Sequence, residues 1–178
     1  MNKISTLFQR KRTVLRLAFI AAFAVTVSFV PCVFMQSAGL YINLTGSMER
    51  GIWKESGICC AEPPRGSAVV VNGEALSLDT RLLQSKLLLK RVSALEGDSV
   101  SYSAAEKRVY INGKPLPNSE IFLKGKGGIP LPHPAYPYVV PKGYVYLSSE
   151  HVYGYDSRYF GPVPSDAIFA VVMPLVCW

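Results

Sequence analysis

Three short stretches of this chain carry residue types and spacings that can do chemistry. The first is Asn43-Leu44-Thr45-Gly46-Ser47-Met48-Glu49-Arg50-Gly51-Ile52-Trp53, which sets two hydroxyls two residues apart around a glycine. The second, Leu88-Leu89-Lys90-Arg91-Val92, embeds two cations in an apolar run and leads to Gly97-Asp98. The third is Tyr153-Gly154-Tyr155-Asp156-Ser157-Arg158-Tyr159-Phe160-Gly161-Pro162-Val163. There Asp156 and Arg158 stand two apart among aromatics, the pattern of a partly buried ion pair that forms a structural corner.

Lys90 has two physical readings. In a strand, Leu88, Lys90 and Val92 face one way and Leu87, Leu89 and Arg91 the other, so a cation emerges among apolar neighbours or one strand face is wet. The ordinary reading is an exposed lysine on an edge strand, and the pattern alone favours it. A buried lysine is different. Burial disfavours the charged form and can lower its pKa by several units. Such a lysine is a general base able to activate a serine. Ser47 beside Gly46 is, taken alone, an ordinary turn residue. If it attacks a carbonyl, the Thr45 hydroxyl and the Ser47 backbone N–H make an oxyanion hole. A Ser-His-Asp constellation of Ser47, His151 and Asp156 is disfavoured, because no Gly-x-Ser-x-Gly elbow accompanies it. With His133 and His151 the only histidines and no zinc-type cysteine spacing, neither a metal nor another cofactor is expected.

These stretches need elements to position them. The chain has 178 residues, 49% hydrophobic and 17% charged, with mean hydropathy +0.22. That excludes a disordered chain and points to a membrane segment. Five of the seven net positive charges are Lys3, Arg10, Lys11, Arg12 and Arg16, all ahead of the first acid, Glu49. A nucleic-acid footprint over the body is therefore not expected. The apolar run Leu17 to Met35 would rise about 28 Å as a helix, close to the hydrocarbon thickness of a bilayer. Gln36-Ser37-Ala38 is a poor cleavage site, so the run reads as a retained anchor with the basic flank cytoplasmic. The expected organisation is a basic cytoplasmic segment 1–16, a transmembrane anchor 17–37 and an exported domain 38–178.

The exported part reads as many short strands with Gly/Pro turns and no helical period, hence mainly β. Strands are expected at 38–43, 66–72, 87–92, 99–103, 108–112, 143–148 and 167–174. Thr45 to Met48 is a turn, 59–65 a loop, 76–85 a helical turn or loop, and the Gly/Pro-rich 125–141 an irregular loop. Asn112-Gly113 is a hairpin turn signal. Cys32 lies in the apolar run. On the exported side, either Cys177 bridges Cys59 or Cys60, or all three remain thiols.

Taken in order, the three stretches resemble the bacterial signal peptidase I family, and within it the conjugative-transfer-type peptidases that mature pilin precursors. The resemblance runs from about residue 38 to 174. It includes Gly66-Ser-Ala-Val-Val, Lys90-Arg-Val, Val109-Tyr-Ile-Asn-Gly-Lys-Pro-Leu116 and Asp156-Ser-Arg-Tyr-Phe-Gly-Pro-Val163. It implies a signal-peptidase-like β-rich catalytic domain with one N-terminal transmembrane helix, in a bacterial inner membrane. It further implies a serine endopeptidase with Ser47 as nucleophile, Lys90 as general base, Thr45 as side-chain oxyanion donor, and Asp156 and Arg158 supporting the site. The implied partners are an exported precursor such as a conjugative pilin, cleaved or cyclised, together with membrane lipid and secretion or conjugation machinery. A general signal peptidase and an inactive scaffold are the alternatives. Two positions depart from the family pattern. Glu49 replaces a proline two after the nucleophile. Gly154 replaces a serine that hydrogen-bonds the lysine, leaving Ser148, Ser149 or water to orient Lys90.

Overall fold

The computed structural model describes residues 16–20, 23, 35, 37–74, 76, 78–79, 81–83 and 85–178. The predicted basic segment and anchor lie for the most part outside these residues, as does Cys32. No helix among the described residues is long and apolar enough to cross a membrane. The chain divides into two units, Met1–Leu40 and Tyr41–Trp178. The three chemical stretches all fall in the second.

That unit is mainly β. Its strands are β1 (Leu40–Asn43), β2 (Gly51–Glu55), β3 (Ala68–Asn72), β4 (Leu87–Ala94), β5 (Ser99–Ser103), β6 (Arg108–Ile111), β7 (Lys114–Pro115), β8 (Tyr138–Val139), β9 (Tyr144–Ser148), β10 (Val163–Pro164) and β11 (Ile168–Cys177). A seven-stranded sheet has the order β1-β2-β11-β3-β4-β9-β10, and a four-stranded sheet the order β7-β6-β5-β8. One helical turn, Ser157–Phe160, follows β9.

β3 shows why the large sheet forms. Its Ala-Val-Val-Val run is rich in β-branched residues, its edges pair with β11 and β4, and its side chains are buried on both faces. Val69 and Val71 pack on one face with Val92, Val145, Leu147, Val163, Ile168 and Val171. Ala68 and Val70 pack on the other with Met48, Trp53, Leu89, Ala170 and Val172. A third cluster joins Ala94 and Tyr146 of the large sheet to Val100 and Val109 of the small one.

The strands expected near 40, 70, 90, 100, 110, 145 and 170 are present. Asn112 and Gly113 both take positive φ in the two-residue turn between β6 and β7, as that dipeptide predicts. β2, β7, β8, β10 and the Ser157–Phe160 turn are additional to the elements expected from the sequence. Apart from five-residue β2, they have two to four residues and carry no period of their own. β2 is recruited by the long β11, which pairs with it from Val172↔Glu55 to Cys177↔Gly51. A Cβ on Gly51 would stand 2.2 Å from the Val176 carbonyl oxygen, so this approach requires glycine.

Cys59, Cys60 and Cys177 are free thiols. The register gives the reason. Cys177 sits beside Gly51, at the start of β2, whereas Cys59 and Cys60 follow the other end of that strand, beyond Glu55. Cys60 packs instead against the cluster around Val69 and Val71.

Candidate active site

The Ser47 turn is built on Asn43, the last residue of β1. Its amide Nδ2 donates to the carbonyls of Met48 (3.0 Å) and Glu49 (2.9 Å). Its Oδ1 accepts from the Thr45 N–H (3.2 Å) and the Thr45 hydroxyl (2.8 Å). Trp53 Nε1 donates to the same Glu49 carbonyl at 3.2 Å. Met48 is buried against Leu89 and Val70, which pins the turn to the face of the sheet. Nothing in this network uses a side chain at position 49, so Glu49 is accommodated, exposed, where the family pattern has proline.

Ser47 is half-buried. Its Oγ lies 3.0 Å from Thr45 Oγ1 and donates to the Leu89 carbonyl at 3.4 Å. Because the single Thr45 proton goes to Asn43, Ser47 is the donor to Thr45, and its one proton is shared between Thr45 Oγ1 and the more distant Leu89 carbonyl. The Ser47 carbonyl accepts from the Glu150 N–H at 2.7 Å. Ser47 is thus held against residues 89 and 150, the immediate neighbours of Lys90 and Ser149.

Lys90 lies on β4, an inner strand between β3 and β9, and is 3% exposed. The edge-strand reading of Lys90 is therefore corrected on both counts: β4 is paired on both edges, and the face that carries the lysine is buried. The pair Arg91↔Ser148, continued by one residue, sets Lys90 opposite Ser149. Lys90 Nζ donates to Ser149 Oγ at 2.9 Å. Burial pushes the Lys90 ammonium down to about 8, opposed by the attraction of Asp156 and assisted by the repulsion of Arg158. At pH 7 about a tenth of such lysines are neutral, against about four in ten thousand at the ordinary pKa. No hydrogen bond joins Lys90 to Ser47; the two are brought close through their neighbours.

Asp156 and Arg158 form a wholly buried ion pair, 0% and 1% exposed, not a partly buried one. Asp156 accepts from Arg158 Nε (2.8 Å) and Nη2 (2.9 Å), from the Arg158 N–H (3.1 Å) and from the Ser149 N–H (2.8 Å). Arg158 Nη1 also donates to the carbonyls of Asn118, Glu120 and Val152, and Nη2 to that of Gly154. The pair therefore ties the 118–120 and 151–154 segments to the backbone of Ser149. His151 is exposed, and its Nδ1 accepts from the Tyr153 N–H at 3.2 Å. With Asp156 occupied by Arg158 and Ser149, the histidine triad has no geometry here. Asp98 serves elsewhere, taking Asn112 Nδ2 at 2.7 Å and the Leu95 N–H at 2.6 Å.

The family model described as signal peptidase, peptidase S26, matches residues 11–178. The chain belongs to this family. Among its relatives is the probable conjugal transfer protein TraF of Sinorhizobium fredii, 30% identical over 151 residues, covering 79% of this chain and 78% of that one. The conjugal transfer protein TraF of Agrobacterium tumefaciens is 30% identical over 171 residues, 89% of this chain and 94% of that one. Signal peptidase I V of Bacillus subtilis is 33% identical over 98 residues, 49% of this chain and 56% of that one.

At this candidate site, Asn43 and Ser149 acquire definite roles only from the geometry. Asn43 is visible in the Asn-x-Thr-x-Ser pattern, but only the fold brings its amide into bonds with both ends of the turn. Ser149 was one of three candidates for orienting Lys90. The β4–β9 register selects it, while Ser148 Oγ lies 2.5 Å from Ser93 Oγ instead.

Proposed function

We propose that the chain is a membrane-anchored serine endopeptidase that cleaves an exported precursor polypeptide of the conjugative-pilin kind through Ser47 and Lys90. The observation that carries this reading is a buried lysine, low in pKa and fixed by a hydroxyl, whose strand neighbour accepts a hydrogen bond from Ser47. Neutral Lys90 takes the Ser47 proton as Oγ bonds to the scissile carbonyl carbon. The oxyanion accepts from the Ser47 N–H and from the Thr45 hydroxyl, which turns away from Asn43 to donate. The C–N bond then breaks, the leaving amine takes the proton from Lys90, and an acyl-enzyme remains. Water releases it, with Lys90 again accepting a proton; an amine of the product itself would close a ring instead. An extended precursor segment gains affinity by pairing with a free strand edge.

Conjugal transfer names among the relatives support a pilin precursor and contact with conjugation machinery. The likeness to signal peptidase I V supports a broader preprotein range as the second reading. An anchor in a bacterial inner membrane, with the catalytic domain outside, is supported by the cations before Leu17 and the apolar run after it. Exposed Ile42, Leu44, Phe169, Met173, Leu175 and Trp178, in or beside β1 and β11, give the exported unit an apolar surface suited to lipid.

The test is cleavage of a candidate pilin precursor by the full chain in detergent micelles. Processing by the native chain and none by Ser47→Ala is expected. A native chain inert toward pilin and preprotein substrates alike would leave the scaffold reading.

A further inference from the structure

We infer that the hydroxyl orienting Lys90 has been relocated: Ser149 is the positioning residue for the lysine, and Gly154 is glycine because the Ser149 side chain occupies its space. This rests on the peptidase reading of Ser47 and Lys90. Two independent observations meet here. Lys90 Nζ donates to Ser149 Oγ at 2.9 Å within the protein interior. A Cβ built on Gly154 would stand 2.2 Å from both Cβ and Oγ of Ser149, and 3.1 Å from the His151 carbonyl oxygen. Gly154 does not have the positive φ that would require glycine, so space selects it, not backbone conformation. A side chain at position 154 and the side chain of Ser149 therefore exclude each other, and only one hydroxyl can reach this side of Lys90.

The backbone around Ser149 fixes that hydroxyl. Its N–H is held by Asp156 Oδ2 at 2.8 Å, and the Gly154 carbonyl by Arg158 Nη2 at 2.8 Å. The Asp156–Arg158 pair thus sets the distance between the two competing positions. Neutral Lys90 has two N–H bonds and one lone pair. Donating one N–H to Ser149 limits rotation about the terminal C–N bond, so the lone pair is presented in a restricted direction to accept the Ser47 proton. The charged groups acting on Lys90 are Asp156, which favours its protonated form, and Arg158, which disfavours it.

The test uses the full chain in detergent micelles and a quenched fluorescent peptide with alanine at the first and third positions before the cut. Ser149→Ala should lower kcat tenfold or more while KM stays within twofold. It also removes an acceptor that favours the ammonium. The rising limb of the pH–rate profile should therefore move to lower pH, by about half to one unit, a shift that a loss of packing alone would not give. Gly154→Ser should lower both Tm and kcat, and adding Ser149→Gly in that background should restore both, with kcat well above that of Ser149→Gly alone. Ser149→Ala with native kcat and pH profile would overturn the positioning role. A Gly154→Ser/Ser149→Gly chain that regains neither Tm nor kcat would overturn the relocation. Failure of the native chain to cleave the peptide, or cleavage surviving in Ser47→Ala, would count instead against the peptidase reading on which the inference rests.

Discussion

At the scale of single residues, Lys90 joins stability to function. Its folded pKa of about 8 lies below the ordinary value of about 10.4, so between those pH values the unfolded chain holds the extra proton. Stability should therefore rise with pH across that window, and at pH 7 the buried ammonium costs up to ~3 kcal/mol. Lys90→Met should raise Tm at pH 7 and flatten the stability–pH slope between about 8 and 10.4, while abolishing cleavage. Thermal melts at pH 7 and pH 10 check this; an unchanged slope would mean that Lys90 is solvated in solution. Ser47→Ala and Lys90→Ala should each abolish processing, and the double variant should be no worse than either, because nucleophile and base act as one unit. Lys90→Arg should also fail, since arginine keeps its proton. Precursor cleavage by Lys90→Ala at a tenth or more of the native rate would remove Lys90 from the mechanism.

At the scale of elements, the site hangs between one turn and one ion pair. Buried Arg158 serves Asp156 and the carbonyls of Asn118, Glu120, Val152 and Gly154. Arg158→Met would leave Asp156 buried and uncompensated. We expect a loss of about 3–5 kcal/mol in denaturant unfolding. Asp156→Asn/Arg158→Met should recover part of that loss, as removal of both charges leaves no lone ion. If the double variant is less stable than Arg158→Met, the pair acts through its hydrogen bonds to the loops and not through its charge balance. The Ser47 turn offers a contrast. Asn43 holds it by four bonds while the Ser47 hydroxyl has only two, so the turn is fixed and the proposed nucleophile stays free to exchange partners.

For the whole molecule, the end of the chain is held by strand pairing and not by a covalent bridge. β11 pairs with β2 and β3 over its length, and Trp178 N–H donates to the Arg50 carbonyl at 3.1 Å. Mass analysis of unreduced, unfolded protein should find Cys59, Cys60 and Cys177 all alkylated; a peptide joining Cys177 to either neighbour would show a different register between β2 and β11. The cations ahead of Leu17 predict the orientation of the whole chain. A reporter fused after Trp178 should be active only outside the cytoplasm, and activity inside would reverse the topology.

Much of this protein is set by local sequence. The Ala-Val-Val-Val run makes β3 wherever it lies, because β-branched side chains fit a pleat covered on both faces. Asn112-Gly113 makes its turn because both residues tolerate positive φ. Ser47, Thr45, Lys90, Asp156 and Arg158 stand out by type and spacing, and a family pattern links them. The order of strands is another matter. Sequence alone favours an exposed Lys90, because a single strand does not reveal what will cover its faces. Packing over that face of β4 buries the lysine and lowers its pKa, and the pairing of β4 with β9 sets it opposite Ser149. In the same way, Ser148 and Ser149 are equivalent as letters, and only the β4–β9 register separates them. Gly154 and Ser149, five residues apart, compete for one volume because the Asp156–Arg158 pair folds their segment back on itself. That Cys177 lies at the Gly51 end of β2, and not at the end that leads on to Cys59, follows from antiparallel pairing. Each of these depends on which backbone groups lie opposite one another across the chain, a relation set by the packing of distant segments and carried by no local pattern of residues.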